Sequence, residues 1–157
     1  MVPTLGYHPN EARRGGNWAK VGRVENFIRG HAEEITAVGE IGLDYHYAEN
    51  EGQRENQRAI FKHFLGGLAA ELDLPVVIHA REAEREAFEL VQRWGGVKAY
   101  FHSFTGGSVE LAREIAENDH PIGINTGIVF IPEMRAVAEA LDLESVIAET
   151  DSPYMSP

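Results

Sequence analysis

A chain of 157 residues with 43% apolar side chains is long enough for one folded domain with its own core, and two domains are not expected. A formal net charge of −11 argues against a broad basic surface for gripping nucleic acid, although carboxylates clustered around divalent ions and a local cationic spot remain compatible with a nuclease. The absence of cysteine removes disulfides, thiolate ligands and a cysteine nucleophile together, so any metal must be held by His, Asp or Glu.

No apolar run approaches the roughly 18 residues of a membrane span. The segment from Met1 to Pro9 lacks a basic stretch followed by an apolar one. The expected setting is the cytoplasm, with no membrane partner.

The first short apolar run, Val2 to Tyr7, is broken by His8-Pro9-Asn10, as a strand is. Trp18, Val21, Val24, Phe27 and Ile28 then fall at helical spacing before Gly30. The segment Ile35 to Asp44 reads as a buried strand: Ala37, Val38, Ile41 and Leu43 sit beside glycines, while period two brings Glu40 and Asp44 to one face. A polar loop from His46 to Gln53 leads into a helix with Ile60, Phe61, Phe64, Leu65 and Leu68 on one face, ending near Asp73 and weakened at Gly66-Gly67.

The uniformly apolar run Leu74 to His79 has no wet face, as expected of a parallel strand covered by helices. Ala87 to Trp94 is the next helix. Strand Val97 to His102, helix Ser108 to Asn118, strand Pro121 to Thr126, helix Pro132 to Leu141 and strand Val146 to Asp151 continue the alternation. Such order predicts right-handed βαβ units and a parallel sheet. Six strands and five helices fit either an open doubly wound sheet or part of a (β/α)₈ barrel. His8, Glu40, Asp44, His79, His102 and Asp151 each close or follow a strand-like run, which favours the barrel, whose sites gather residues from many strand ends.

A buried Glu40 needs a cation, a proton or a metal, because desolvating an unpaired carboxylate costs several kcal/mol. Glu40 and Asp151 with His79 and His102 make an oxygen and nitrogen donor set suited to a divalent ion. Asp151 is expected on the same strand face as Glu149, which reads equally as a core ion pair or as support for a ligand. His8 fits a ligand or an ordinary His-Pro loop entrance. Arg81 shares a face with His79 and fits either an anion clamp or a salt bridge. Asp44 and His46 sit at or past a strand end, within reach of a site mouth. His31, His63 and His120 are expected at the surface.

The runs Gly39-Glu-Ile-Gly-Leu-Asp-Tyr, Leu74-Pro-Val-Val-Ile-His-Ala-Arg, Phe101-His-Ser-Phe-Thr-Gly and Glu149-Thr-Asp-Ser-Pro-Tyr resemble, in the same order, the signatures of the TatD family of metal-dependent hydrolases. Tyr7-His-Pro resembles a further family element. The resemblance implies a TIM barrel of the amidohydrolase type with two divalent ions and deoxyribonuclease activity. Glu40 matches the family's bridging carboxylate, His79 and His102 its two histidines on one metal, and Asp151 its metal-binding aspartate and proton acceptor.

The family's opening His-x-His strand has no counterpart before Val2, and a typical barrel needs about 250 residues. The expectation is therefore one incomplete domain over 1–157, truncated at both ends and lacking the first two βα units and the terminal helical region, with two raw sheet edges that a partner chain or self-association covers. At most weak cleavage of DNA or another phosphodiester is expected. The competing readings are a hydrolase of a small ester, amide or lactone, and a catalytically silent fragment.

Overall fold

The computed structural model describes residues 3–13, 17–94 and 96–154. The chain forms two compact units, residues 1–99 and 100–157. Its architecture is α/β, parallel strands in chain order with helices between them, as part of a (β/α)₈ barrel requires.

In the first unit, β1 (Thr4–Leu5) and β3 (Val76–Arg81) flank β2 (Ala37–Asp44), both parallel to it. Val2, the expected start of the first strand, lies outside the described residues. Val38, Ile41 and Leu43 are fully buried, and Glu40 alone on β2 escapes burial. Burial on both faces explains why the segment shows no simple apolar and polar alternation. The register slips between Val38 and Ile41, around Glu40, and recovers with Gly42 opposite His79 and Asp44 opposite Arg81. Gly42 has φ of +143°, and a Cβ there would run into the His79 carbonyl oxygen, so glycine is what lets β2 lie against β3 at this point.

The helices α1 (Pro9–Arg13) and α2 (Trp18–Gly30) follow β1. Asn17 caps α2 by accepting the Lys20 N–H at 3.1 Å. Of the apolar residues at helical spacing on α2, only Val21 and Ile28 are buried, whereas Trp18 and Phe27 face solvent.

The single helix expected after the polar loop is three segments: α3 (Glu51–Lys62), a π-helical stretch (His63–Ala69) and α4 (Ala70–Leu72). Phe61, Phe64, Leu65 and Leu68 from this run fill the core. Gly66 admits the Trp94 ring, which a Cβ would meet at 2.6 Å. After β3, α5 (Glu84–Arg93) buries Ala87, Phe88, Leu90 and Val91.

In the second unit, β5 (Ile122–Ile124) pairs in parallel with β4 (Ala99–His102) and with β6 (Val146–Ala148). Ser108 caps α6 (Val109–Glu117) by accepting the Leu111 N–H, and the helix buries Leu111, Ala112 and Ile115. Pro132 opens α7 (Pro132–Ala140), which buries Met134 and Val137.

Two expected strands end early. The Asn125 side chain accepts the Gly127 N–H at 2.7 Å and turns the chain into a 3₁₀ segment, so β5 stops at Ile124. β6 stops at Ala148, which leaves Glu149 and Asp151 beyond it; Asp151 has φ of +55°, a conformation no strand contains. His120, expected at the surface, is only 8% exposed and packs beside Phe101. No described helix is long and apolar enough to cross a membrane.

Candidate metal centre

The first unit brings His8, Glu40 and His79 together, with one donor atom from each lying within 4.8 Å of the others. Glu40 Oε2 lies 3.6 Å from His79 Nδ1 and 3.7 Å from His8 Nε2, and the two imidazole rings meet edge to face at 4.5 Å. Glu40 is not the buried carboxylate that its apolar neighbours imply: its side chain is 36% exposed. The buried one is Asp44, at 1%.

Asp44 has a specific task. Its Oδ2 lies 3.2 Å from His79 Nε2, so the ring donates Nε2–H to Asp44 and turns Nδ1 toward Glu40, where an ion that displaced the Nδ1 proton would find the lone pair. Burial raises the Asp44 pKa, but the hydrogen bond and charge of His79 and the Tyr47 N–H outweigh it, and the carboxyl stays below its usual value. Burial likewise lowers the His79 pKa, yet Asp44 and Glu40 together push it up to about 9. Positive charge is favoured between these two carboxylates.

His8 is held differently. The Asn10 N–H donates to its Nδ1 at 3.2 Å, which leaves the proton of a neutral ring on Nε2, facing Glu40. In that state His8 presents a donor rather than a lone pair, which suits contact with an anionic group better than ligation.

The second unit brings His102, Glu149 and Asp151 together. Asp151 Oδ1 lies 3.4 Å from His102 Nε2, while Glu149 Oε2 accepts from His102 Nδ1 at 2.9 Å. Glu149 is in turn held by the Tyr100 hydroxyl at 2.6 Å and by the Ser103 N–H at 2.5 Å. Ser103 takes φ of +48° to present that N–H. Burial raises the Glu149 pKa, and the hydrogen bonds from His102 and Tyr100 more than reverse it. Glu149 and Asp151 therefore share His102 rather than a strand face.

Each unit thus carries the same device: one ring nitrogen is tied to a carboxylate, and the other faces a second carboxylate oxygen at 3.4 to 3.6 Å. Two donors sharing an ion through bonds of about 2.0–2.2 Å stand roughly that far apart. Orientation of the histidine by a carboxylate is the usual support for a metal ligand. The residues present fit divalent ions.

Arg81 lies outside these clusters, exposed, with its guanidinium over the Tyr47 ring at 5.3 Å and in no ion pair among the described residues. His46 pairs with Glu82 at 2.6 Å and His63 with Glu25 at 2.8 Å, while His31 Nδ1 lies 2.8 Å from the Phe27 carbonyl. Sequence reasoning missed Gln57, Tyr100 and Ser103. Tyr100 was within reach of it, two residues before His102 on the same strand face. Gln57 gives no such signal, because a glutamine on an amphipathic helix reads as solvent-facing.

A family model for the TatD-related DNases matches residues 1–157. The chain is 41% identical over 154 residues to an uncharacterized metal-dependent hydrolase of Methanocaldococcus jannaschii, covering 98% of this chain and 58% of the relative. It is 32% identical to a 3'-5' ssDNA/RNA exonuclease TatD of Klebsiella pneumoniae, over 98% of this chain and 58% of that one. It is 30% identical to the human deoxyribonuclease TATDN3, over 100% of this chain and 59% of that one. Among solved structures, YJJV, a TatD homolog from Escherichia coli, superposes with a TM-score of 0.85 at 27% identity, over 98% of this chain and 59% of that one. The chain spans less than two thirds of the length of these relatives. With the whole of its sequence inside the family model, this chain belongs to the TatD-related DNase family.

Proposed function

We propose that this chain supplies the ligands of a divalent-metal hydrolase that cuts the phosphodiester bonds of DNA. The observation that carries the reading is the paired device of an oriented histidine facing a carboxylate, His79 with Glu40 and His102 with Asp151. The relatives named as nucleases support the substrate class.

Divalent ions held by Glu40, His79, His102 and Asp151, two of them in the complete arrangement, would polarise the scissile phosphate and lower the pKa of an attacking water. Asp44 and Glu149 keep the proton of each imidazole on the nitrogen away from the ligating one. Asp151, with its side chain 24% exposed, accepts the proton that the attacking water gives up. His8 donates Nε2–H to a phosphate oxygen. The cysteine-free sequence suits a cytoplasmic setting, and self-association covering strand edges is part of the same proposal.

The test is metal analysis of the purified 157-residue chain, coupled to cleavage of a single-stranded oligodeoxynucleotide with Mg²⁺, Mn²⁺ or Zn²⁺. Bound ions and metal-dependent cleavage, both reduced by His79→Ala and by His102→Ala, are expected. Fewer than one ion per chain, or cleavage only of small esters, amides or lactones, would overturn the reading.

A further inference from the structure

Tyr47 and Arg81 stand on the loop after β2 and at the last position of β3, in a unit where Asp44 and Arg81 are register partners. The Arg81 guanidinium lies over the Tyr47 ring at 5.3 Å, and its Nη1 is 3.5 Å from the Tyr47 hydroxyl. His46 braces the same ring edge to face at 4.7 Å, and is itself held by Glu82 at 2.6 Å. Despite these neighbours, Tyr47 keeps 43% of its surface in solvent and Arg81 is exposed.

Folding gains little from this arrangement. A cation over an aromatic ring at an exposed position contributes about 0.5–1 kcal/mol, and an aromatic left in water forfeits its burial. Arg81 forms no ion pair among the described residues and acts on the Asp44 carboxylate only through its longer-range charge, in a chain with a net charge of −11. A guanidinium outside any close ion pair, beside a ring with much of its surface in solvent, offers what a nucleotide uses: a flat surface for the base and a planar fork for the phosphate.

The position fits the same purpose. The Tyr47 N–H reaches the Asp44 carboxylate at 3.4 Å, and Asp44 orients His79. Arg81 follows His79 by two residues on β3, so both side chains leave the same face, roughly 6–7 Å apart along the strand. That is about the reach of one nucleotide.

The geometry points to Tyr47 and Arg81 as a nucleotide seat, in which a base of single-stranded nucleic acid stacks on Tyr47 and the adjoining phosphate pairs with Arg81. The inference rests on the phosphodiesterase reading for its substrate and adds that an unstacked base, rather than the backbone alone, sets the affinity. Base-paired duplex cannot offer such a face without opening, so a single strand is the preferred form.

The experiment measures fluorescence anisotropy of two labelled oligothymidylates bound to the intact chain, one regular and one abasic at its terminal residue, with cleavage followed separately. The wild-type chain should prefer the base-bearing strand. Tyr47→Ala should lower that preference roughly ten-fold, as loss of one base stack does, whereas Tyr47→Phe should keep it. Arg81→Gln should weaken both strands and flatten the salt dependence. An unchanged preference in Tyr47→Ala, or a wild-type chain indifferent to the missing base, overturns the seat even if cleavage is robust. Base-selective binding that depends on Tyr47, without metal-dependent cleavage, upholds the seat and sinks the hydrolase reading instead.

Discussion

The side-chain amide of Gln57 closes on both backbone groups of Asp44: its Oε1 accepts the Asp44 N–H at 2.7 Å, and its Nε2 donates to the Asp44 carbonyl at 2.8 Å. Gln57 is fully buried on α3, so a helix supplies the partners that the end of β2 needs inside the protein. The residue that orients His79 is thereby fixed from the opposite side. Gln57→Leu keeps the approximate volume and leaves two buried polar groups unpaired, so urea unfolding should show a loss of about 2–4 kcal/mol. An effect below about 0.5 kcal/mol would mean that water replaces the amide at no cost.

Glu149→Gln tests the corresponding support in the second unit. The substitution keeps the shape but removes the charge that accepts from His102, Tyr100 and Ser103. Divalent-ion affinity, measured by competition with a chromogenic chelator, should fall about ten-fold or more, as it does when the group orienting a ligating histidine is altered. Tyr100→Phe, which removes one of those donors, should do less. Equal affinities in wild type and Glu149→Gln would leave Glu149 a purely structural residue.

Adjacent glycines in the π-helical stretch should respond in opposite directions. A Cβ at Gly66 would meet the Trp94 ring at 2.6 Å, whereas one at Gly67 would meet nothing within 4 Å. Gly67→Ala should stabilise the chain by about 0.4–1 kcal/mol, because alanine restricts the unfolded chain more than glycine does. Gly66→Ala should destabilise it, by about 1–3 kcal/mol if Trp94 must shift. Thermal melts of the two variants decide the matter.

His120 should make stability depend on pH. Burial holds its pKa below the ordinary 6.5 against the smaller opposing influence of Asp119. Below pH 6.5 the unfolded chain takes up a proton that the folded chain resists, so this stability is complete above that pH and declines as the pH falls. His120→Gln should flatten the slope of unfolding free energy as the pH falls below 6.5. A slope identical to wild type would place the acid sensitivity elsewhere.

Much of the fold was legible in the sequence because the strand and helix periods differ and alternate cleanly from Thr4 to Ala148. The ends of β5 and β6 were not. Asn125 and Asp151 look like strand-terminal polar residues, and only their turn geometry shows that the strand has already stopped. The burial of Glu40 was misjudged because its apolar neighbours report only that β2 itself is covered, whereas the Glu40 carboxylate, set between His8 and His79, stays 36% exposed.

By itself, the order of residues determined which side chains are candidates for chemistry: no cysteine, two histidines and two carboxylates in or just after strand-like runs, and motifs held in common with one family. The tertiary structure decided which nitrogen of each histidine faces a carboxylate partner in the site and which is tied down, a choice made by Asp44 for His79 and by Glu149 for His102. Those partners are 35 and 47 residues apart in the chain. Periodicity reports only the face a residue takes within its own element, whereas a proton's position on an imidazole depends on what another element brings within about 3 Å of it.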